Sequence, residues 1–359
     1  MTFKLLLIML FTTGCTMLGY LSEQGYEQAK LQWSGRDNEE FLNDPGVSED
    51  MKRKVMLIGE YKKFFYHYFG EKQSSIYSKT TMLPNKAVTY LVIASPRTKI
   101  EAHEFEFPFM GSFPYIGFFR KDSAKEFAED LNKKKNLVTY IRPVYAYSTL
   151  GYLEDRILSS FFNYDDIELA ELVFHELFHT VFFIKDEVEL NENLANLYGK
   201  EMLQAYFKGR PELENYLETE RKKTLVSNRV VELIGILQTE FAKLGGFITG
   251  KKADELTQRF IAEVFKPDLK NFCASVGLPE SECKIKDEWN QAAFAAFLTY
   301  EEEQDFLQKL KTQNNFDLKQ YLSWLKMEYK NYDDQDKFEN FTDYLKMKTE
   351  VPHAPIAAD

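Results

Sequence analysis

The chain has few of the side chains that most often hold metal ions: of 359 residues, five are histidine and three are cysteine. Structural zinc sites fill all four positions and favour cysteine, so a cysteine-built site has little to draw on here. Basic residues are also short. Forty-five Lys and Arg face 56 Asp and Glu, a net charge of −11 with a pI near 5.2. Nucleic-acid binding needs a basic face to neutralise phosphates, and this balance argues against one. Beyond the N-terminal leader no apolar run is long enough to span a bilayer, and the sequence contains no internal repeats or low-complexity segments. What is abundant is aromatic: 31 Phe and 21 Tyr, within a hydrophobic content of 44%. That content predicts a folded body with a sizeable core.

The opening residues, MTFKLLLIMLFTTGC, carry one early lysine, a short apolar run from Leu5 to Phe11, then small residues ending at Gly14-Cys15. The layout is that of a secretory signal over residues 1–14, with a core too short for a membrane helix. Small residues directly before a cysteine resemble the bacterial lipoprotein box, with Thr12 where Leu is usual. This reading makes Cys15 the lipidated first residue of an exported protein, tethered to a membrane and facing the periplasm or exterior. An ordinary signal peptide with an incidental cysteine is the competing reading. The two remaining cysteines, Cys273 and Cys283, flank Gly277-Leu278-Pro279. In an oxidising compartment they are a plausible disulfide closing a short loop.

Along the chain, YLSEQGYEQAKLQWSG predicts a short helix ending at Gly35. Ser48 followed by Glu49 and Asp50 caps a helix running to about Phe69, which Gly70 ends. From Val88 the texture becomes β-branched and aromatic, in VTYLVIAS, HEFEFPF, YIGFF and LVTYIRPVYAYS, with SAKEFAEDLNKKK as one helix among them. These stretches predict one small sheet of three to five strands. Beyond Gly151 the pattern is helical, including a long segment that Pro211 opens and Leu244 closes. The expected fold is α+β and predominantly helical: an N-terminal part with the small sheet over 15–150, a larger helical part over 151–350, and a loose tail over 351–359.

Two of the five histidines lie four residues apart in ELAELVFHELFHTVFF. On a helix they share one face, with Glu168 in the same sector and Glu176 about a quarter-turn aside. Ala170, Val173, Leu177 and Val181 cover the opposite side, flanked by Phe174 and Phe178. His175-Glu176-Leu177-Phe178-His179 is the H-E-x-x-H pattern. Two imidazoles at this spacing converge on one tetrahedral Zn²⁺, and the glutamate between them reaches a water in the open position as general base. Two core histidines bonded to backbone carbonyls form the competing reading.

A hydrolytic zinc site wants a third ligand, and no third histidine is near. KDEVELNENLANLYGKEM offers Glu187, Glu189, Glu192 and Glu201. Glu192 is preferred, in the first turn of a new helix capped by Asn191 or a neighbour, with Leu190, Leu194 and Leu197 seating that helix. Asn196, one turn beyond, would orient a ligand.

The run HELFH followed by KDEVELNENLAN is similar to the bacterial putative aminopeptidase family of predicted zinc-dependent lipoproteins. The pattern H-E-x-x-H, about a dozen residues, then N-E-x-x-A falls here on His175, Glu176, His179, Asn191, Glu192 and Ala195. FPFMGSFPYIGFF, AYSTLGYLEDRILSSFF and WNQAAFAAFLTY extend the likeness over most of the chain. The sequence departs from the pattern at Phe178, Glu187 and Ile116, none of which removes a ligand or the base. The resemblance implies a zincin-like helical part and a cell-envelope metallopeptidase of the gluzincin type, with one zinc, that removes N-terminal residues from peptides. A zinc endopeptidase and a noncatalytic metal-binding envelope lipoprotein are the alternatives.

Two further roles need residues. Tyr147, at a turn with Ser148, Thr149 and Gly151, is the favoured oxyanion donor, against an ordinary packing tyrosine. Recognition of a free α-amino group calls for a spare carboxylate, for which Glu154, Asp155 and Glu187 are candidates. His67, His103 and His353 read as structural, surface or idle.

Overall fold

Ser48 accepts a hydrogen bond from the Met51 amide, and Gly70 takes the left-handed conformation at φ 70°. Between them runs the helix that the capping signals place there. It belongs to a computed structural model that describes residues 19–107, 111–145, 155–185, 187–245, 249–301, 304–333, 338 and 340–350. The leader, Cys15, Tyr147, Glu154 and the tail from 351 lie outside the described residues.

In chain order the elements begin with a helix α1 over 19–33. Then come β1 (Arg36–Asp37), α2 (Asn38–Asn43), α3 (Glu49–Phe69), β2 (Lys79–Thr81), β3 (Thr89–Pro96), β4 (Phe105–Phe107), β5 (Gly111–Phe113) and β6 (Ile116–Phe118). α4 (Lys121–Lys135), β7 (Leu137–Val144) and β8 (Ile157–Leu158) complete the mixed region. The rest is helical: α5 (Asp166–Phe178), α6 (Val188–Tyr206), α7 (Pro211–Leu244), α8 (Gly250–Phe260) and α9 (Lys266–Val276), the last two joined by a π turn. α10 (Gln291–Glu301), α11 (Gln304–Gln313), α12 (Leu318–Asp333) and α13 (Phe341–Glu350) follow. The fold is α+β and predominantly helical.

The strands do not form the one sheet that the sequence suggests. They divide among a three-stranded sheet in the order β6-β3-β7, a second in the order β1-β2-β8, and the hairpin β4-β5. β3 is the only long central strand among those described, antiparallel to β7 from Thr89↔Val144 to Pro96↔Leu137. The other strands are two or three residues long. They pair locally where the chain passes, and such short runs give the sequence no register to declare.

Three apolar clusters fill the molecule. The largest joins α3, α5 and α6 to α11, α12 and α13. A second lies among α7, α8, α9 and α10, where Cys273 and Cys283 are bonded to each other. The third packs Ala124, Ala128 and Leu131 of α4 onto Val92 and Ala94 of β3. Among the described residues no helix is long and apolar enough to cross a membrane.

Candidate metal centre

α5 is fixed at both ends before its histidines are considered. Asp165 accepts from the amides of Ile167 and Glu168 while the Glu168 carboxylate accepts from the Asp165 amide, a reciprocal cap worth about 1 kcal/mol. Glu168 therefore serves the helix start. α3 braces the same end: Arg53 pairs with Asp166 at 2.6 Å, and the Tyr61 hydroxyl donates to the Asp166 carbonyl at 3.0 Å. At the other end Thr180 donates to the Leu177 carbonyl at 2.7 Å and shares a 2.8 Å hydrogen bond with Tyr66 of α3.

After α5 the chain turns back into α6. The Asn191 carboxamide holds that turn: its oxygen accepts from the Ile184 amide, and its nitrogen donates to the carbonyls of Ile184 and Glu187. Asn191 is thus a buried tie inside α6 rather than its cap, and Glu192 stands in the second turn because α6 already begins at Val188. The early start brings Glu192 over α5. Further along α6, Gly199 allows close contact: a Cβ there would lie 3.1 Å from the Glu171 carbonyl oxygen and 3.3 Å from the His175 Cβ. A glycine inside a helix costs about 1 kcal/mol relative to alanine, a signal of close crossing that sequence reasoning passed over.

The crossing brings three predicted ligands together. His175 Nε2 lies 3.3 Å from one Glu192 oxygen and His179 Nε2 lies 3.5 Å from the other. One donor atom from each of the three residues falls within 4.8 Å of the others. The two rings are 5.1 Å apart between centroids, nearly perpendicular. Ligand atoms around a tetrahedral zinc at 2.0–2.2 Å stand about 3.3–3.6 Å from one another, and each Glu192 oxygen lies at such a distance from one of the two imidazole nitrogens. Asn196 Oδ1 lies 2.9 Å from His175 Nδ1. The amide oxygen accepts, Nδ1 carries the proton, and the Nε2 lone pair is left toward the cluster. His179 Nδ1 is buried with no hydrogen-bond partner among the described residues. His175, His179 and Glu192 together form a donor set that could hold a metal ion.

The three groups differ electrostatically. Burial and the neighbouring His175 push the His179 pKa down to about 4, against a smaller opposing pull from Glu192. For His175 burial also opposes protonation, but its hydrogen bond to Glu192 and the charge of Glu176 outweigh it and raise the pKa. Burial works against ionising Glu192, yet the hydrogen bond and charge of His175 hold its pKa below the ordinary carboxylate value. Glu176 is itself buried, one residue along from His175.

Two of the other acidic candidates, Glu187 and Glu201, have other employment. Glu187 accepts from the amides of Phe341 and Thr342 and from the Thr342 hydroxyl, capping α13. That removes it from the acids available to a substrate amine. Glu189 is exposed in the first turn of α6, and Glu201 pairs with Lys311 at 2.7 Å. Asp155 is buried, its carbonyl accepting from the Tyr77 amide at 2.7 Å. His67 is exposed and His103 stacks edge-on against Phe105.

Sequence reasoning missed two residues near the centre. Tyr77 is buried and held at φ 60°, rare for an aromatic residue, and its hydroxyl pKa is raised by burial and then by the Glu176 charge. No local pattern marks it. Glu171, one turn before His175, accepts a hydrogen bond from Tyr216 of α7.

A family model described as "Putative aminopeptidase" matches residues 19–339, which includes every residue of this cluster. No curated protein and no solved structure matches the chain.

Proposed function

The chain belongs to the putative aminopeptidase family, and from that membership and the His175–His179–Glu192 cluster we propose a zinc-dependent peptide hydrolase. The observation that carries the reading is the pair of Glu192 oxygens set 3.3 and 3.5 Å from two imidazole nitrogens four residues apart on one helix. Zinc held there would acidify a water and polarise a peptide carbonyl. Glu176, too far round the helix to ligate, takes the proton of the attacking water and delivers it to the leaving nitrogen. Asn196 fixes the tautomer and ring plane of His175. Tyr147 remains our candidate donor to the oxyanion.

Removal of N-terminal residues is the reaction proposed, following the family description; endopeptidase cleavage is the second reading. With Glu187 occupied at the start of α13, Glu154 and Asp155 are the candidates left for the substrate amine. We place the protein in the cell envelope, exported and anchored through Cys15. The Cys273–Cys283 disulfide supports an oxidising compartment.

The test is Glu176→Gln assayed beside the unaltered chain on peptides with free and acetylated N-termini. The variant is expected to keep its zinc and lose roughly a hundredfold or more of its hydrolysis. Acetylation is expected to abolish cleavage by the unaltered chain. Undiminished hydrolysis by the variant would discard the base assignment, and equal rates on both peptides would assign endopeptidase cleavage.

A further inference from the structure

We propose that the outward face of α1 lies in the phospholipid headgroup layer, with Tyr26 and Trp33 as its interfacial anchors. The inner face of this helix is well fastened. Tyr20 donates to the Gly117 carbonyl at 2.8 Å, Gln24 accepts from the Phe119 amide, Glu23 accepts from Ser123, and Gln32 accepts from Arg156. On the outer face Tyr26 is 65% exposed and Trp33 84%. Seven residues apart, the two rings stand on one side of the helix. The other two tryptophans, Trp289 and Trp324, are buried.

Gly19, Ser22 and Lys30 complete the exposed stripe around the two rings, and Glu27 reaches its edge, paired with Lys30 at 3.6 Å. Glu23 and Glu27 are both half-buried. In a chain with 56 acidic residues, a stripe with two aromatics, small residues and a lysine already paired with a glutamate suits a lipid headgroup layer rather than bulk water. Tryptophan and tyrosine favour this layer because each ring is apolar with one polar group that stays wet. The tether also has the right reach. Cys15 is four residues before Gly19, at most about 14 Å of extended chain. The inference thus rests on the proposed lipidation of Cys15, and one acyl chain alone gives only marginal binding without a second contact.

The test uses the full chain expressed in a bacterial host, with the mass of residue 15 measured, then bound to vesicles of phosphatidylethanolamine and phosphatidylglycerol. Tryptophan emission is expected to shift to the blue and to be quenched by lipids brominated in their acyl chains. Trp33→Phe should lose both effects, since its two remaining tryptophans are buried. Tyr26→Ser in the unlipidated Cys15→Ser chain should weaken partitioning about tenfold, the loss of one ring from the interface. Lipidated chain on vesicles whose Trp33 emission is unshifted and unquenched overturns the proposal while leaving the anchor in place. An unmodified Cys15 with the vesicle-induced shift supports the lipid-facing helix and removes the anchor; an unmodified Cys15 with no shift removes both. A blue shift that grows with protein concentration in the absence of vesicles overturns the proposal and assigns the face to a second copy of the chain.

Discussion

His175 and His179 have the same chemistry and different surroundings. His179, with its pKa near 4, offers a neutral imidazole at any physiological pH. His175 depends on its neighbours: Glu192 draws a proton toward it, and Asn196 decides which nitrogen keeps one. Asn196→Ala should therefore weaken zinc binding by about 10–100-fold, read by competition with a chelator, with little change in folding. A loss no larger than that of a surface substitution would refute the orienting role. Glu171 tests the same burial in another way. Its pKa is raised, chiefly by burial, so the folded chain binds that proton more tightly than the unfolded chain does. The resulting stability is complete below the unfolded value and is lost as pH rises through the folded one. Glu171→Gln should match the unaltered chain in melting temperature near about pH 4 and gain on it toward about pH 7. A difference that does not vary with pH would contradict this.

At the scale of elements, the centre is two helices and the turn between them. α5 and its histidines were legible because a four-residue spacing is local and the helix period translates it directly into a shared face. Glu192 was legible as a residue type following a reversal, but its position was not. The sequence suggested a first-turn acid behind a cap at Asn191 or a neighbour, whereas α6 starts earlier and Asn191 is buried in the turn's hydrogen bonds. Capping signals report the preference for one local role, and here the turn before the helix uses the side chain in another. The sheets were half legible for a related reason: β3 and β7 are long enough to show their pattern, while the two- and three-residue strands are set by what lies beside them. Gly199 turns the crossing into a prediction. A valine there would meet the Glu171 carbonyl and the His175 backbone within about 3.3 Å. Gly199→Val should lower zinc affinity at least about tenfold by lifting Glu192 away, and Gly199→Ala much less, since a shift of a few tenths of an ångström accommodates it. Unchanged zinc affinity in the valine variant would mean that the crossing does not set the ligand spacing.

At the scale of the whole molecule, the centre sits at the edge of the largest apolar cluster. α3 braces one end of α5, and Glu187 links the turn between α5 and α6 to the start of α13, 154 residues further along. The polar strip of α5 meets α6 while its other sides are packed in Phe and Tyr, among them Tyr61, Phe65, Phe174 and Tyr198. This explains how a chain with five histidines can place two of them at the side of a core: the aromatic packing fixes α5, and one carboxylate reaches in from the next helix. Measuring bound zinc in the purified chain beside Glu192→Ala tests that account most directly. About one zinc per chain is expected for the unaltered protein, and a large loss of zinc for the variant while its melting stays cooperative. An unaltered chain that binds no zinc, or a variant that keeps it with undiminished affinity, would contradict the account.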